Sequence, residues 1–345
     1  MIKIVGIGGG TGLPVLLRGL KQLSACVDRG VPFTSFHVTA IVAVSDNGGS
    51  TGHLRRSFGI PAVGDLRNCL AALSDAPSEL RELFQYRFPA GAGLQGHALG
   101  NLILSALWLQ SGALGQAVES ARLLLGVRGQ VLPVTEESVS LWAEYESGEV
   151  IHGEAQIASI QGLIRDIWLE PQTPPPCGGV LDAIAGADIL VLGPGSLYTS
   201  IVPNLLVPGV LNAIRNSPAR KVFVCNLMTQ SGETSRFSAT DHIKVLEAYL
   251  GPGVLDVCVL NKSSIAPVLL RKYIQRGSTP VSWNLREIAG MGIAVVQSDL
   301  VGDCAVRVRH DPLKLARLIW LMSKEGKQII GGYDQATSTQ PQSSL

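Results

Sequence analysis

At 345 residues, with 46% apolar and only 16% charged residues, the chain has the material for a sizeable buried core, which excludes a disordered polymer. The formal net charge is +1, from 28 basic and 27 acidic residues, and no Lys/Arg block breaks that balance, so nucleic acid is not expected as the main partner. Cys26, Cys69, Cys177, Cys225, Cys258 and Cys304 lie far apart with no CxxC pair or metal-ligand spacing, and read as small buried hydrophobes in a reducing compartment.

The chain opens MIKIVGIGGGTG, an apolar strand from residue 2 with no n-region, h-region or cleavage site. No uncharged apolar run of about 18 residues follows. A cytoplasmic protein without membrane insertion is expected. The β-branched runs 2-IKIVGI-7, 38-VTAIVAV-44, 188-DILVLG-193, 221-KVFVCN-226, 256-DVCVLN-261 and 292-GIAVVQ-297 have the length of doubly buried parallel strands. Helical periodicity fills 13–23, 97–110, 114–126 and 311–326, the last with Asp311 at the N-cap and Pro312 at the first helical position. Residues 136–170 show period-2 alternation around Ser147-Gly148, an antiparallel hairpin insert from which the Pro-rich 171–176 returns the chain. The expectation is therefore an α/β fold: one Rossmann-like doubly wound, mostly parallel sheet over 1–330 with an insert at about 130–170. The polar tail 331–345 reads as disordered.

The loops at the strand ends carry the chemistry. The first strand runs through Gly8, Gly9, Gly10, Thr11 and Gly12 into a helix, an arrangement that aims free N–H groups at an anion. It lacks the Lys-Ser/Thr of a Walker A loop and misses the third glycine of GxGxxG, which weakens an NAD-dependent oxidoreductase. A side chain at Gly9 is expected to block phosphate approach. The second loop, 45-SDNGGSTG-52, sets Asn47, Gly48, Gly49 and Ser50 behind Asp46. A carboxylate there repels an anion unless a cation intervenes, so Asp46 suggests Mg²⁺ or a hydroxyl contact, with a plain turn cap as the alternative. In 61-PAVGDLRN-68, Asp65 is a candidate helix cap, and Arg67 and Asn68 occupy a first turn. His97 and Asn101 share a helix face, His97 as a general base or a capping residue. After the strand at 188–193, Gly193, Gly195, Ser196, Tyr198 and Thr199 form another small-residue loop. The nucleophile elbow fails there, because Pro194 and Tyr198 stand where glycines are needed. Asn204, Asn226 and Gln230 offer amides to a base or sugar, or cap local structure. Tyr273 and Arg309 are a stacking ring and a phosphate-capable guanidinium.

The ordered series GGGTGL, SDNGGSTG, GDLRN, GHALGN, GPGSLYTSIVPNLLVPG and CNLMTQSGET resembles the YvcK-like gluconeogenesis factors, relatives of the CofD-type 2-phospho-L-lactate transferases. The resemblance runs from residue 2 to about 325 and includes 310-HDPLKLA-316. It implies a cytoplasmic protein that binds a UDP-sugar such as UDP-N-acetylglucosamine and serves cell shape and wall synthesis during gluconeogenic growth. A wall-synthesis protein partner and a homo-oligomer are expected. On the resemblance, Gly8 to Gly12, Asp46, Asn68, Asn101 and the 193–199 loop line the nucleotide cleft, and Tyr273 and Arg309 contact the nucleotide-sugar. The alternative is a CofD-type, Mg²⁺-dependent transferase moving a phospholactyl-like group from a nucleotide-activated donor. Relatives often carry a second acidic residue where this chain has Asn47, which leaves Asp46 a lean cation site.

Overall fold

The structure is a computed structural model that describes residues 1–27, 35–89, 91, 93–304 and 306–324. In chain order it runs β1 (Ile2–Gly8), α1 (Leu13–Val27), β2 (Phe36–Val42), α2 (Gly49–Phe58), α3 (Gly64–Leu73), α4 (Ser78–Gln85), α5 (Leu99–Ser111), α6 (Leu114–Leu124) and β3 (Gln130–Pro133). The insert follows with β4 (Ser140–Tyr145), β5 (Val150–His152), the single turn α7 (Glu154–Ile157) and β6 (Ile164–Glu170). The chain then continues through α8 (Val180–Ala185), β7 (Ile189–Leu192), a π-helical turn (Leu197–Ile201), α9 (Val202–Leu205), α10 (Val210–Asn216) and β8 (Arg220–Val224). It ends in α11 (Ala239–Leu250), β9 (Val257–Asn261), α12 (Pro267–Ile274), α13 (Leu285–Gly290), β10 (Ala294–Ser298) and α14 (Pro312–Lys324).

Seven strands form one sheet in the order β10-β9-β8-β7-β1-β2-β3, and every pair is parallel. The apolar runs become strands because they are covered on both faces: β7 is buried at all four residues and β8 at all five. Strand order reverses between β1 and β7, the switch point of a doubly wound sheet. The predicted Asp311 cap forms, with its Oδ1 accepting the Lys314 N–H at 2.8 Å. Among the described residues no single helix is long and apolar enough to cross a membrane.

The insert is a separate three-stranded antiparallel sheet, β5-β4-β6, with the turn closed by the Gly148 N–H donating to the Tyr145 carbonyl. It starts later than about residue 130: β3 pairs in parallel with β2, from Thr39–Gln130 to Val42–Pro133, and so belongs to the main sheet. Four residues ending in proline carry too short a pattern to be read as a strand. One face of the insert stacks Trp142 on Trp168 at 6.2 Å between ring centroids, a cross-strand pair.

Cys69, Cys177, Cys225 and Cys258 are buried free thiols, as expected, but Cys304 is exposed. The tail 331–345 and most of the connection before β2 lie outside the described residues.

Candidate functional site

The loop after β1 and the loop after β7 meet at the switch point. A Cβ built on Gly12 would lie 2.2 Å from the Pro194 carbonyl oxygen, so only glycine permits this approach. Beyond them opens a cleft of about 970 Å³. Thr11, Gly12, Gly195 and Ser196 line one side, and Asn226 and Gln230, from the loop after β8, line the next. The far wall, from α12, the turn after it and residues 306–310, presents Lys272, Tyr273, Arg276, Arg307, Arg309 and His310. Four cations thus face the cleft, and none of its lining residues is a carboxylate. The polar groups opposite are organised by one another: Asn226 Nδ2 donates to the Gly195 carbonyl at 2.8 Å and Gln230 Nε2 to Ser196 Oγ at 2.7 Å.

Several loop amides expected to cradle phosphate are already engaged by the protein's own carboxylates. The Gly10 N–H donates to Asp65 Oδ2, so Asp65 ties α3 to the first loop instead of capping its helix. A Cβ on Gly9 would come within 2.6 Å of that same Asp65 oxygen, so a side chain there displaces Asp65 first. Glu233 is buried beneath the π-helical turn and accepts the Thr199 hydroxyl at 3.0 Å and the N–H groups of Tyr198 and Thr199. Its Oε2 is buried without a partner, and burial pushes the carboxyl up to about 7. Tyr198 and Thr199 therefore lie behind the loop, and the cleft is lined by Gly195 and Ser196. Asn204 is fully buried, donating to the carbonyls of Gly8 and Ser200 at 3.1 and 2.7 Å, and clamps the end of β1.

The loop after β2 sits on the other side of β1 from β7 and contributes nothing to the lining of the cleft. Asn47 accepts the Ala155 N–H at 3.0 Å and donates to Gln156 Oε1 at 3.1 Å, fastening the insert to this loop. The Gly48 N–H donates to Asp46 Oδ1 at 2.7 Å. Ser50 Oγ accepts from Asn101 Nδ2 at 3.0 Å and lies 3.2 Å from His97 Nδ1, so Ser50 and Asn101 join α2 to α5. Acidic groups gather here. Burial and then Asp46 push the half-buried Asp65 up to about 7, while the Gly10 N–H and Arg67 pull it back. Glu154 is raised well above the usual carboxylate range by burial, Asp46, Asp65 and Glu233, against Arg55. Buried Arg67 is the nearby counter-charge; it donates to Asn68 Oδ1 at 2.7 Å, and Asn68 Nδ2 reaches the Gly10 carbonyl at 3.3 Å. The donor set falls short of a metal centre: among the described residues no three His, Cys, Asp or Glu side chains are placed to hold an ion.

Of the sequence candidates, the structure brings Thr11, Gly12, Gly195, Ser196, Asn226, Gln230, Tyr273 and Arg309 together in the cleft. Gly8, Gly9, Gly10, Asp46, Asn47, Gly48, Gly49, Ser50, Asn68, Asn101, Gly193, Tyr198, Thr199 and Asn204 shape the loops around it without lining it. Sequence reading missed Lys272, Arg276, Arg307 and His310. The signals were present in 271-RKYIQR-276 and 306-VRVRH-310, whose basic residues are too evenly spread to form a block. Buried His310 is pushed down to about 4 by desolvation, so it is neutral near pH 7, and its Nε2 has no partner. A second cavity of about 320 Å³ adjoins the cleft through Asn226 and Leu227 and carries Asn261, Lys262 and Trp283.

Residues 4–301 match the family model described as 2-phospho-L-lactate transferase CofD. The gluconeogenesis factor of Bacillus subtilis is 44% identical over 323 residues, covering 94% of this chain and 98% of its own. The gluconeogenesis factor of Halalkalibacterium halodurans is 40% identical over 317 residues, covering 92% and 95%. A crystal structure of a Bacillus halodurans protein superimposes with a TM-score of 0.87 at 39% identity, over 92% of this chain and 99% of that one. A second crystal structure of that protein, described as a member of the UPF0052 family, gives the same values.

Proposed function

The chain belongs to the 2-phospho-L-lactate transferase CofD family, and on that premise we propose that it is a gluconeogenesis factor that binds a nucleotide-sugar of the UDP-N-acetylglucosamine type in the switch-point cleft. The observation that carries this reading is the pairing of four cations with a complete lack of lining carboxylates, in a cleft large enough for such a ligand. A diphosphate lies against Lys272, Arg276, Arg307 and Arg309, where each charge-assisted hydrogen bond contributes about 1.5–3 kcal/mol. The organised amides of Asn226 and Gln230 suit sugar or ribose hydroxyls, and the half-buried Tyr273 offers a ring face.

The family description favours a second reading, transfer of a phospholactyl-like group, for which the sequence resemblance implies Mg²⁺. Such transfer needs a cation over the phosphates and an acceptor beside them. Asp46 is the candidate for Mg²⁺, yet it stands on the β2 side, outside the lining of the cleft. Binding is therefore favoured over turnover. In this reading the protein works in the cytoplasm as a homo-oligomer, and the loaded cleft alters how a wall-synthesis partner is engaged, sustaining cell shape during gluconeogenic growth.

Calorimetric titration with UDP-N-acetylglucosamine and with GDP, each with and without Mg²⁺, tests the proposal. Uridine-selective, Mg²⁺-independent binding without product supports it. Guanosine selectivity that requires Mg²⁺ shifts the assignment to transfer, and no binding of either removes it.

A further inference from the structure

A third concavity, also of about 320 Å³, lies outside the cleft between α1, α3 and α4. Arg18 projects from α1 and Arg81 from α4, while Asn68 of α3 and Ser78 and Gln85 of α4 supply neutral polar groups. The pocket is basic without being paired. No ion pair or side-chain hydrogen bond is formed by Arg18 or Arg81 among the described residues, and Arg81 Nε is buried with no partner at all. Lys21, one turn beyond Arg18, points to the Ser74 carbonyl at 2.5 Å and is held below the usual lysine range by burial and by repulsion from Arg81 and Arg18. Arg18 is exposed at its outer end, and partial desolvation and Arg309 press it down. The one carboxylate in the wall is Glu82, exposed on α4, and the nearby Asp75 is taken by Arg128.

Two arginines on a concave site, one with a buried and unpartnered Nε, facing a single rim carboxylate leave a positive field that an anion completes. We propose that the pocket between Arg18 and Arg81 binds the phosphate group of a small phosphorylated molecule, at a site distinct from the nucleotide-sugar cleft. Two guanidinium forks match the geometry and charge of a phosphate dianion, and Asn68, Ser78 and Gln85 meet its remaining oxygens. Glu82 at the rim repels a bare phosphate approaching from its side and accepts a hydroxyl from the rest of the molecule. The site also communicates with the cleft. Asn68 forms one of its walls and bonds to the Gly10 carbonyl, and an anion at Arg18 offsets the positive potential that Arg18 adds at Arg309. The bound anion carries the same sign of charge as the diphosphate, so it is an effector that weakens ligand binding at Arg309.

The test uses the full chain, with inorganic phosphate and tungstate as probes. Crystals soaked in tungstate are expected to show an anomalous peak between Arg18 and Arg81. Calorimetry with phosphate is expected to show a site weakened at least ten-fold in Arg81→Gln and retained in Arg309→Gln, with the melting temperature of both variants close to that of the parent. Phosphate is also expected to weaken UDP-N-acetylglucosamine binding more in the parent than in Arg81→Gln. Tungstate confined to the cleft, or phosphate binding unchanged by Arg81→Gln, overturns the proposal. Because the phosphate site is read without nucleotide, it stands or falls separately from the identity of the ligand in the cleft.

Discussion

Glu233 holds Thr199 from beneath the turn that follows β7: one carboxylate oxygen accepts the hydroxyl at 3.0 Å, and the other is buried with no partner. A carboxylate thus occupies the position at which the sequence invites an anion, and its own desolvation decides how the loop responds to pH. The folded pKa of about 7 lies above the ordinary 4.5, so protonation stabilises the fold below pH 4.5, and that stability is lost as pH rises through 7. Glu233→Gln keeps one accepting oxygen and removes the charge. The variant is expected to gain about 1–3 kcal/mol over the parent at pH 8 relative to pH 5. Urea unfolding of both proteins at the two pH values measures this, and parallel slopes would refute it.

The charge of Asp46 acts on Asp65. Part of the rise of Asp65 to about 7 is the negative charge of Asp46. Asp46→Asn removes that charge and should bring the Asp65 titration down, which shrinks the stability lost between pH 4 and 7. Carboxyl-carbon NMR of Asp65 reads the shift directly; an unmoved titration would show that burial alone sets it.

Asn204 is a clamp. Asn204→Ala removes a buried donor to the Ser200 carbonyl and to the Gly8 carbonyl, which keeps the Ala43 N–H, at a cost of about 1–3 kcal/mol in total. The measured outcome is a drop in unfolding free energy with base selectivity unchanged. A selectivity change in a fully stable variant would restore Asn204 to the ligand.

Gly12→Ala forces a methyl group to within 2.2 Å of the Pro194 oxygen, so the β1 and β7 loops must part. Overpacking of this kind costs about 1–3 kcal/mol. Ligand affinity should fall together with the melting temperature, because the same contact shapes the mouth of the cleft. Unaltered affinity in a folded variant would detach that contact from binding.

Arg276→Gln and Arg309→Gln should each weaken UDP-sugar binding about ten-fold, the equivalent of about 1.4 kcal/mol, and flatten its salt dependence. Titrations at two ionic strengths check both statements. Loss of affinity with an unchanged salt slope would mean that neither guanidinium faces phosphate.

Much of this molecule was legible in one dimension. The apolar runs beginning at Ile2, Val38, Asp188, Lys221, Asp256 and Gly292 all form parallel strands, because burial on both faces leaves a continuous β-branched signature. The Asp311-Pro312 start of α14 and the Ser147-Gly148 turn were also readable, since capping and turn chemistry act within a few residues. Strand order is different. It depends on long-range pairing, and that pairing put β7 rather than β2 beside the cleft. With it went the assignment of partners: Gly10 to Asp65, Thr199 to Glu233 and Asn47 to the insert, each joining residues more than thirty positions apart. The chain alone could say that small-residue loops end the strands. Only tertiary packing decided which amides the protein keeps for its own carboxylates and which face its cations, because desolvation and Coulomb energy depend on distances that the order of residues does not contain.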